Sequence, residues 1–115
     1  MVVEDEALIA MGVIMELERL GVEPVGPFYS LESAQRALPD ERVDLAFLDI
    51  NLGDAKVWPL ADNLHRSGCP IVFVSAEFDP AYIADNYPGA RAYSKPMPFD
   101  LIEQIVDPMR PGRQA

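Results

Sequence analysis

Two short stretches, Val2-Val3-Glu4-Asp5-Glu6 and Leu45-Ala46-Phe47-Leu48-Asp49-Ile50-Asn51, each end an apolar run in carboxylates. Side by side in a parallel sheet they would form a site for a hard cation. Close carboxylates repel by roughly 4 kcal/mol per pair at an effective dielectric of about 20, so such a cluster needs a divalent ion or a lysine. The chain has two lysines, and Lys95 sits in Tyr93-Ser94-Lys95-Pro96, after an apolar segment and before a proline that restricts it to extended geometry. An oxygen-only donor set suits Mg2+, which takes about six oxygens near ~2.1 Å and keeps several of them as water. Lys95 would supply a compact point charge to such a cluster.

These residues need a scaffold that brings them together. Apolar runs of three to six residues alternate with helical periodicity, punctuated by Gly and Pro, in an order that reads β-α five times. The first strand is Met1 to Val3. Leu8, Met11, Ile14, Met15 and Leu17 recur at helical spacing up to Leu20-Gly21. Val22 to Val25 is expected as a second strand, at an edge because Pro24 cannot donate to a ladder. Ser30 caps a helix to about Leu38. Val43 to Leu48, Ile71 to Val74 and Ala90 to Ser94 are the remaining strands. Trp58 to Ser67, a short polar Pro80 to Asn86, and Pro98 to about Met109 are the remaining helices. The fourth strand is nearly all apolar, as burial on both faces requires. The pattern predicts an α/β fold: an open parallel sheet with right-handed crossovers and helices on both faces. Ligands in such sheets bind at the carboxyl ends of the strands. Glu4-Asp5, Asp49, Ser75 and Lys95 all follow strand ends.

Composition removes several function classes. Nine Lys+Arg against nineteen Asp+Glu give a formal charge of -10, the wrong sign for wrapping a phosphate backbone, so direct nucleic-acid binding is not expected. Cys69 is the one cysteine, so neither an internal disulfide nor a cysteine-based zinc site can form. No apolar run approaches the ~18 residues of a membrane span, and no signal peptide is evident, so a cytoplasmic protein is expected. At 115 residues the chain is expected to form one domain over residues 1–109, with a flexible tail over 110–115.

The acidic pair after the first strand, Asp49-Ile50-Asn51 after the third, Ser75-Ala76 after the fourth and Tyr93-Ser94-Lys95-Pro96 after the fifth together resemble the receiver domain of two-component response regulators. The likeness spans essentially the whole chain. Asn51-Leu52-Gly53-Asp54, Trp58-Pro59-Leu60-Ala61-Asp62 and Gly68-Cys69-Pro70-Ile71-Val72-Phe73 look like a subset of stand-alone receivers, although Ser75-Ala76-Glu77 stands where that subset often has Thr-Gly. The resemblance implies a flavodoxin-like (βα)5 fold with strand order 2-1-3-4-5. It implies Asp49 as phosphoacceptor, Mg2+ held by Glu4, Asp5, Asp49 and the Asn51 backbone carbonyl, and Ser75 and Lys95 on the phosphoryl group. It further implies a cis Lys95-Pro96 bond, hydrolysis tuned by Asn51 and Glu77, and Ser75 and Tyr93 as a switch. The expected partners are a sensor histidine kinase or histidine phosphotransfer protein, and a downstream protein or second copy on the face of the fourth helix, last strand and last helix.

Other readings compete. An acidic first helical turn would explain Glu4, Asp5 and Glu6 without any ligand, and Glu6 reads as ordinary helix charge. Trp58 reads as packing and His65 as a solvated surface residue. A pseudo-receiver that binds partners without being phosphorylated would share the fold. A haloacid-dehalogenase-type phosphohydrolase also uses an aspartyl nucleophile, but it carries Asp-x-Asp, and Asp49 is followed by Ile50-Asn51. Nucleotide-binding glycine motifs are missing.

Overall fold

The computed structural model describes residues 1–110. Except for Arg110, the expected tail lies outside these residues. Arg110 itself is tied back, its main-chain N–H on the Asp107 carbonyl at 3.2 Å and its guanidinium on the Asp107 carboxylate at 2.9 Å.

In chain order the strands are β1 (Val2–Val3), β2 (Ala46–Asp49), β3 (Asn51–Leu52), β4 (Ala55–Lys56), β5 (Ile71–Ser75) and β6 (Arg91–Ser94). The helices are α1 (Ala7–Arg19), α2 (Leu31–Ala37), α3 (Trp58–Arg66), α4 (Pro80–Asn86) and α5 (Phe99–Val106). Four strands form a parallel sheet in the order β1-β2-β5-β6, and β3 and β4 make a small antiparallel hairpin directly after Asp49. The hairpin was not foreseen. Its two-residue loop, Gly53-Asp54, has Gly53 at φ +63 while Asp54 stays at negative φ, the type II′ pattern in which only the first position demands glycine.

The expected second strand is corrected. Val22–Val25 forms no strand; the chain instead runs beside β1 through a single bridge, Val3 with Phe28. Val2 N–H donates to the Val25 carbonyl, and Phe28 N–H to the Val2 carbonyl, both at 2.9 Å. This segment occupies the edge position assigned to strand 2, but Pro24 and Pro27 each lack a donor, so a continuous ladder cannot form. Gly26 is needed there: its φ is +116, and a Cβ would meet the Val2 carbonyl oxygen at 2.8 Å.

Strand alternation splits the core. Val2, Phe47 and Val72 face α1 and α5, packing on Ile14, Leu17 and Ile102. Val3, Leu48 and Phe73 face the opposite side, against Leu60, Leu64 and Ile83. Leu48, Phe73, Leu60 and Ile102 are completely buried, each contributing ~1.5–3 kcal/mol relative to exposure. The predicted apolar stripe of α1 holds only in part. Ile14 and Leu17 are buried together with Ala10, but Leu8 is 89% exposed and Met15 64%. The helix packs chiefly on β1 and α5 and so buries a narrow arc. No helix among the described residues is long and apolar enough to cross a membrane.

Candidate functional site

The carboxyl ends of β1, β2, β5 and β6 meet at one edge of the sheet. Register places Val3 beside Leu48, Asp49 beside Val74, and Ser75 beside Ser94, so Glu4, Asp49, Ser75 and Lys95 emerge within one strand-end row. Lys95 N–H donates to the Ser75 carbonyl at 3.0 Å, extending that ladder past β6. The Lys95-Pro96 peptide bond is cis, as is Gly26-Pro27.

Glu4, Asp5 and Asp49 each offer an oxygen, all within 4.8 Å of one another. Glu4 and Asp49 are buried, and Asp5 is exposed at the mouth. The Lys95 ammonium lies among the acids, 2.8 Å from Glu4, 2.9 Å from Asp49 and 3.1 Å from Glu6. Burial works against its charge, but the bonds to Glu4, Asp49 and Glu6 outweigh that and hold its pKa above the ordinary lysine value. Burial pushes the Glu4 carboxyl up to about 7, against the opposing pull of Lys95 and of the Glu6 N–H, and the Asp49 charge adds to the rise. A divalent ion bound by Glu4 would compete with the proton that this rise favours. Asp5 is held below its usual range. Desolvation opposes this, and the Gly53 N–H bond at 3.1 Å, with contacts to Glu4 and Asp49, prevails.

Asp49 Oδ1 accepts from the Asn51 N–H at 3.1 Å, leaving Oδ2 on Lys95. Ser75 is fully buried, and its Oγ accepts from the Asn51 side-chain amide at 3.3 Å. Two clefts lie near Asp49, one lined by it and the other by Ile50 and Asn51, which follow it. One, about 460 Å³, is apolar and lies under Leu8, Val13, Met97 and Phe99 beside Lys95. The other, about 260 Å³, is walled by Trp58, Phe78 and Tyr82 and reaches Asn51 and Lys56. Glu77, expected beside the acceptor, lines the second cleft and is exposed.

The switch role of Tyr93 is corrected. Tyr93 packs with Val74 on the α1–α5 side, whereas Ser75 continues the opposite-facing series Ile71, Phe73. Successive strand residues point to opposite faces, so Tyr93 cannot turn into space vacated by Ser75. On Ser75's side β6 presents Ala92, which has no rotamer to turn.

Two further residues stand at the site: Glu6, which the sequence reads as helix charge, and Lys56, to which it gives no role. Glu6 binds Lys95 as well as carrying helix charge; its signal was a third acid in the same short run. Lys56 donates to Asn51 Oδ1, and Gly53-Asp54, a turn pair that reverses the chain between them, was the available clue. Trp58 does pack, stacked 5.8 Å from Tyr87 and tilted 4.8 Å from Tyr82.

The family model for the response regulator receiver domain matches residues 1–107. Among solved structures, the chain is similar to the signal receiver domain of a modulated diguanylate cyclase from Desulfovibrio desulfuricans G20, at 30% identity and TM-score 0.78, covering 91% of this chain and 86% of that one. It shares its fold with a two-component response regulator from Clostridium difficile, at 23% identity and TM-score 0.81, covering 94% and 91%. It also shares it with a Burkholderia pseudomallei response regulator solved with a phosphorylated aspartic acid, a calcium ion and citrate, at 20% identity and TM-score 0.77, covering 88% of this chain and 61% of that one. No curated protein sequence matches it significantly.

Proposed function

From the premise that the chain belongs to the response regulator receiver domain family, we infer that it accepts a phosphoryl group on Asp49 from a histidine kinase or histidine phosphotransfer protein, and loses it to water. The observation that carries this is the convergence of the Glu4, Asp5 and Asp49 carboxylates at one point, with the Lys95 ammonium on Glu4 and Asp49 and the Ser75 hydroxyl held by the neighbouring Asn51 amide. An Asp49 oxygen forms the new bond to phosphorus as the bond to the donor imidazole nitrogen breaks. Lys95 pairs with the phosphoryl oxygens, releasing part of its hold on Asp49, and Ser75 donates its hydroxyl to them. Water later attacks phosphorus, the bond to Asp49 breaks, and inorganic phosphate leaves.

The donor set, three carboxylates with no nitrogen or sulfur, fits Mg2+. Glu4, Asp5, Asp49 and the Asn51 main-chain carbonyl would hold it. When bound it would neutralise charge on the transferring oxygens. The calcium ion of the Burkholderia pseudomallei relative supports a divalent site in this fold. Output would pass to a downstream protein or a second copy over α4, β6 and α5.

Intact mass after incubation with a small phosphodonor and Mg2+ tests the reading. The expected result is a gain of one phosphoryl group by the wild type and none by Asp49→Asn. An unmodified wild type would leave only an interaction module.

A further inference from the structure

Asn51 and Lys56 face each other directly across the β3–β4 hairpin, a pairing that keeps two side chains on one face within reach. The Lys56 ammonium donates to Asn51 Oδ1, and the other end of that amide donates to Ser75 Oγ at 3.3 Å. An ammonium can only donate, so it fixes which end of the amide is carbonyl, and the amino end must then face Ser75. The hairpin holding this pair is itself pinned, its Gly53 N–H on the Asp5 carboxylate at 3.1 Å. Lys56 is exposed, Asn51 half-buried and Ser75 fully buried, so one relay runs from solvent to the wall of the acceptor.

We propose that Lys56 is a positioning residue: it locks the Asn51 amide across the rim of the acceptor and so lengthens the life of the phosphoryl group on Asp49. This rests on the reading of Asp49 as the acceptor. Hydrolysis requires a water oxygen to reach phosphorus opposite the aspartyl oxygen, forming one P–O bond as the other breaks and leaving its protons on phosphate and solvent. Asn51 and Lys56 line the 260 Å³ cleft, and Asn51 also reaches Asp49 through its main-chain N–H at 3.1 Å, so water coming from that cleft meets the Asn51 amide before it meets the acceptor. Tethered at both ends, the amide stays in the way of that water; freed at one end, it regains rotamers that leave the way clear.

Purified protein is phosphorylated with a small phosphodonor and Mg2+, the donor is removed, and loss of the phosphoryl group is followed by intact mass. Lys56→Met should lose it about fivefold faster than wild type, a change of ~1 kcal/mol in barrier. Lys56→Arg, which keeps a donating cation, should recover most of the lifetime. Asn51→Ala should also be fast, and adding Lys56→Met to it should change nothing more, since both act through one amide. Equal lifetimes for Lys56→Met and wild type, or a further acceleration in the Asn51→Ala background, would overturn the proposal with Asp49 still the acceptor. A wild type that takes up no phosphoryl group fails at the earlier step, which separates the two readings.

Discussion

The two lysines stand in opposite environments: Lys95 binds the Asp49 carboxylate itself, whereas Lys56 binds the side-chain amide of Asn51, two residues further on. The Lys95 side chain is 13% exposed and ion-paired to three acids, two of them buried. Lys56 is exposed and touches no acid among the described residues, only an amide. Around Lys95 there is a charge balance that the fold depends on. Around Lys56 there is a polar relay that runs out to solvent. On the proposed reading of Asp49 as phosphoacceptor, the first would make anionic oxygens bearable and the second would govern how long the product lasts.

The strongest way to break this contrast is to remove the buried cation. Cutting one partner from a buried ion pair costs ~3–5 kcal/mol, but Glu4 can take up a proton, so Lys95→Gln should lose ~2 kcal/mol at pH 7 by chemical denaturation. The pH dependence has a definite sign. Glu4 is raised from 4.5 to about 7, so its contribution is fully present below pH 4.5 and lost as pH rises through about 7. The deficit of Lys95→Gln should therefore be smaller near pH 4.5, where only the Asp49 and Glu6 pairs are lost, and grow towards pH 8. A deficit that shrank over that range would contradict the assigned charge balance.

Adding a cation sharpens the same charge balance. At ten times its dissociation constant, Mg2+ should stabilise wild type by RT ln 11, ~1.4 kcal/mol, visible as a higher melting temperature. Asp5→Asn should reduce this gain. A smaller effect is expected beyond the relay, where the Tyr87 hydroxyl donates to the Asp62 carboxylate at 2.6 Å and ties the end of α4 to α3. Tyr87→Phe should cost ~1 kcal/mol and lower the melting temperature by about 4 °C. The smallest belongs to the apolar cleft on the Lys95 side. Leu8→Gln, at a position 89% exposed, should change stability by less than ~0.5 kcal/mol, whereas a comparable loss to that of Tyr87→Phe would mean Leu8 is packed.

The parallel sheet, the helix order and the strand-end acids were legible because apolar runs and turn residues act locally, and three successive βα units leave few ways to arrange their ends. Residues 22–28 were misread because two prolines and a glycine permit an extended chain without a ladder, and hydropathy alone cannot separate those outcomes. On α1, spacing revealed a helix but not the width of its buried arc, which depends on what packs against it. Tyr93 was misplaced because a strand register shifted by one residue reverses the face, and that register is set by β5 rather than by the residues around Tyr93. Lys56 escaped notice because its partner lies across a turn and its role depends on a register two residues long.

The aromatic seam between α3 and α4 has an optical consequence. Trp58 is the chain's one tryptophan, and its indole sits 5.8 Å from Phe73, 4.8 Å from Tyr82 and 5.8 Å from Tyr87, at the wall of the cleft that opens onto Asn51. Its emission therefore arises from a single, known position, and energy absorbed by the neighbouring tyrosines is passed to it over a few ångströms. Any displacement of α4 changes the distance to two of those donors at once, so the protein carries its own label for the motion of this helix, with no dye and no engineered residue.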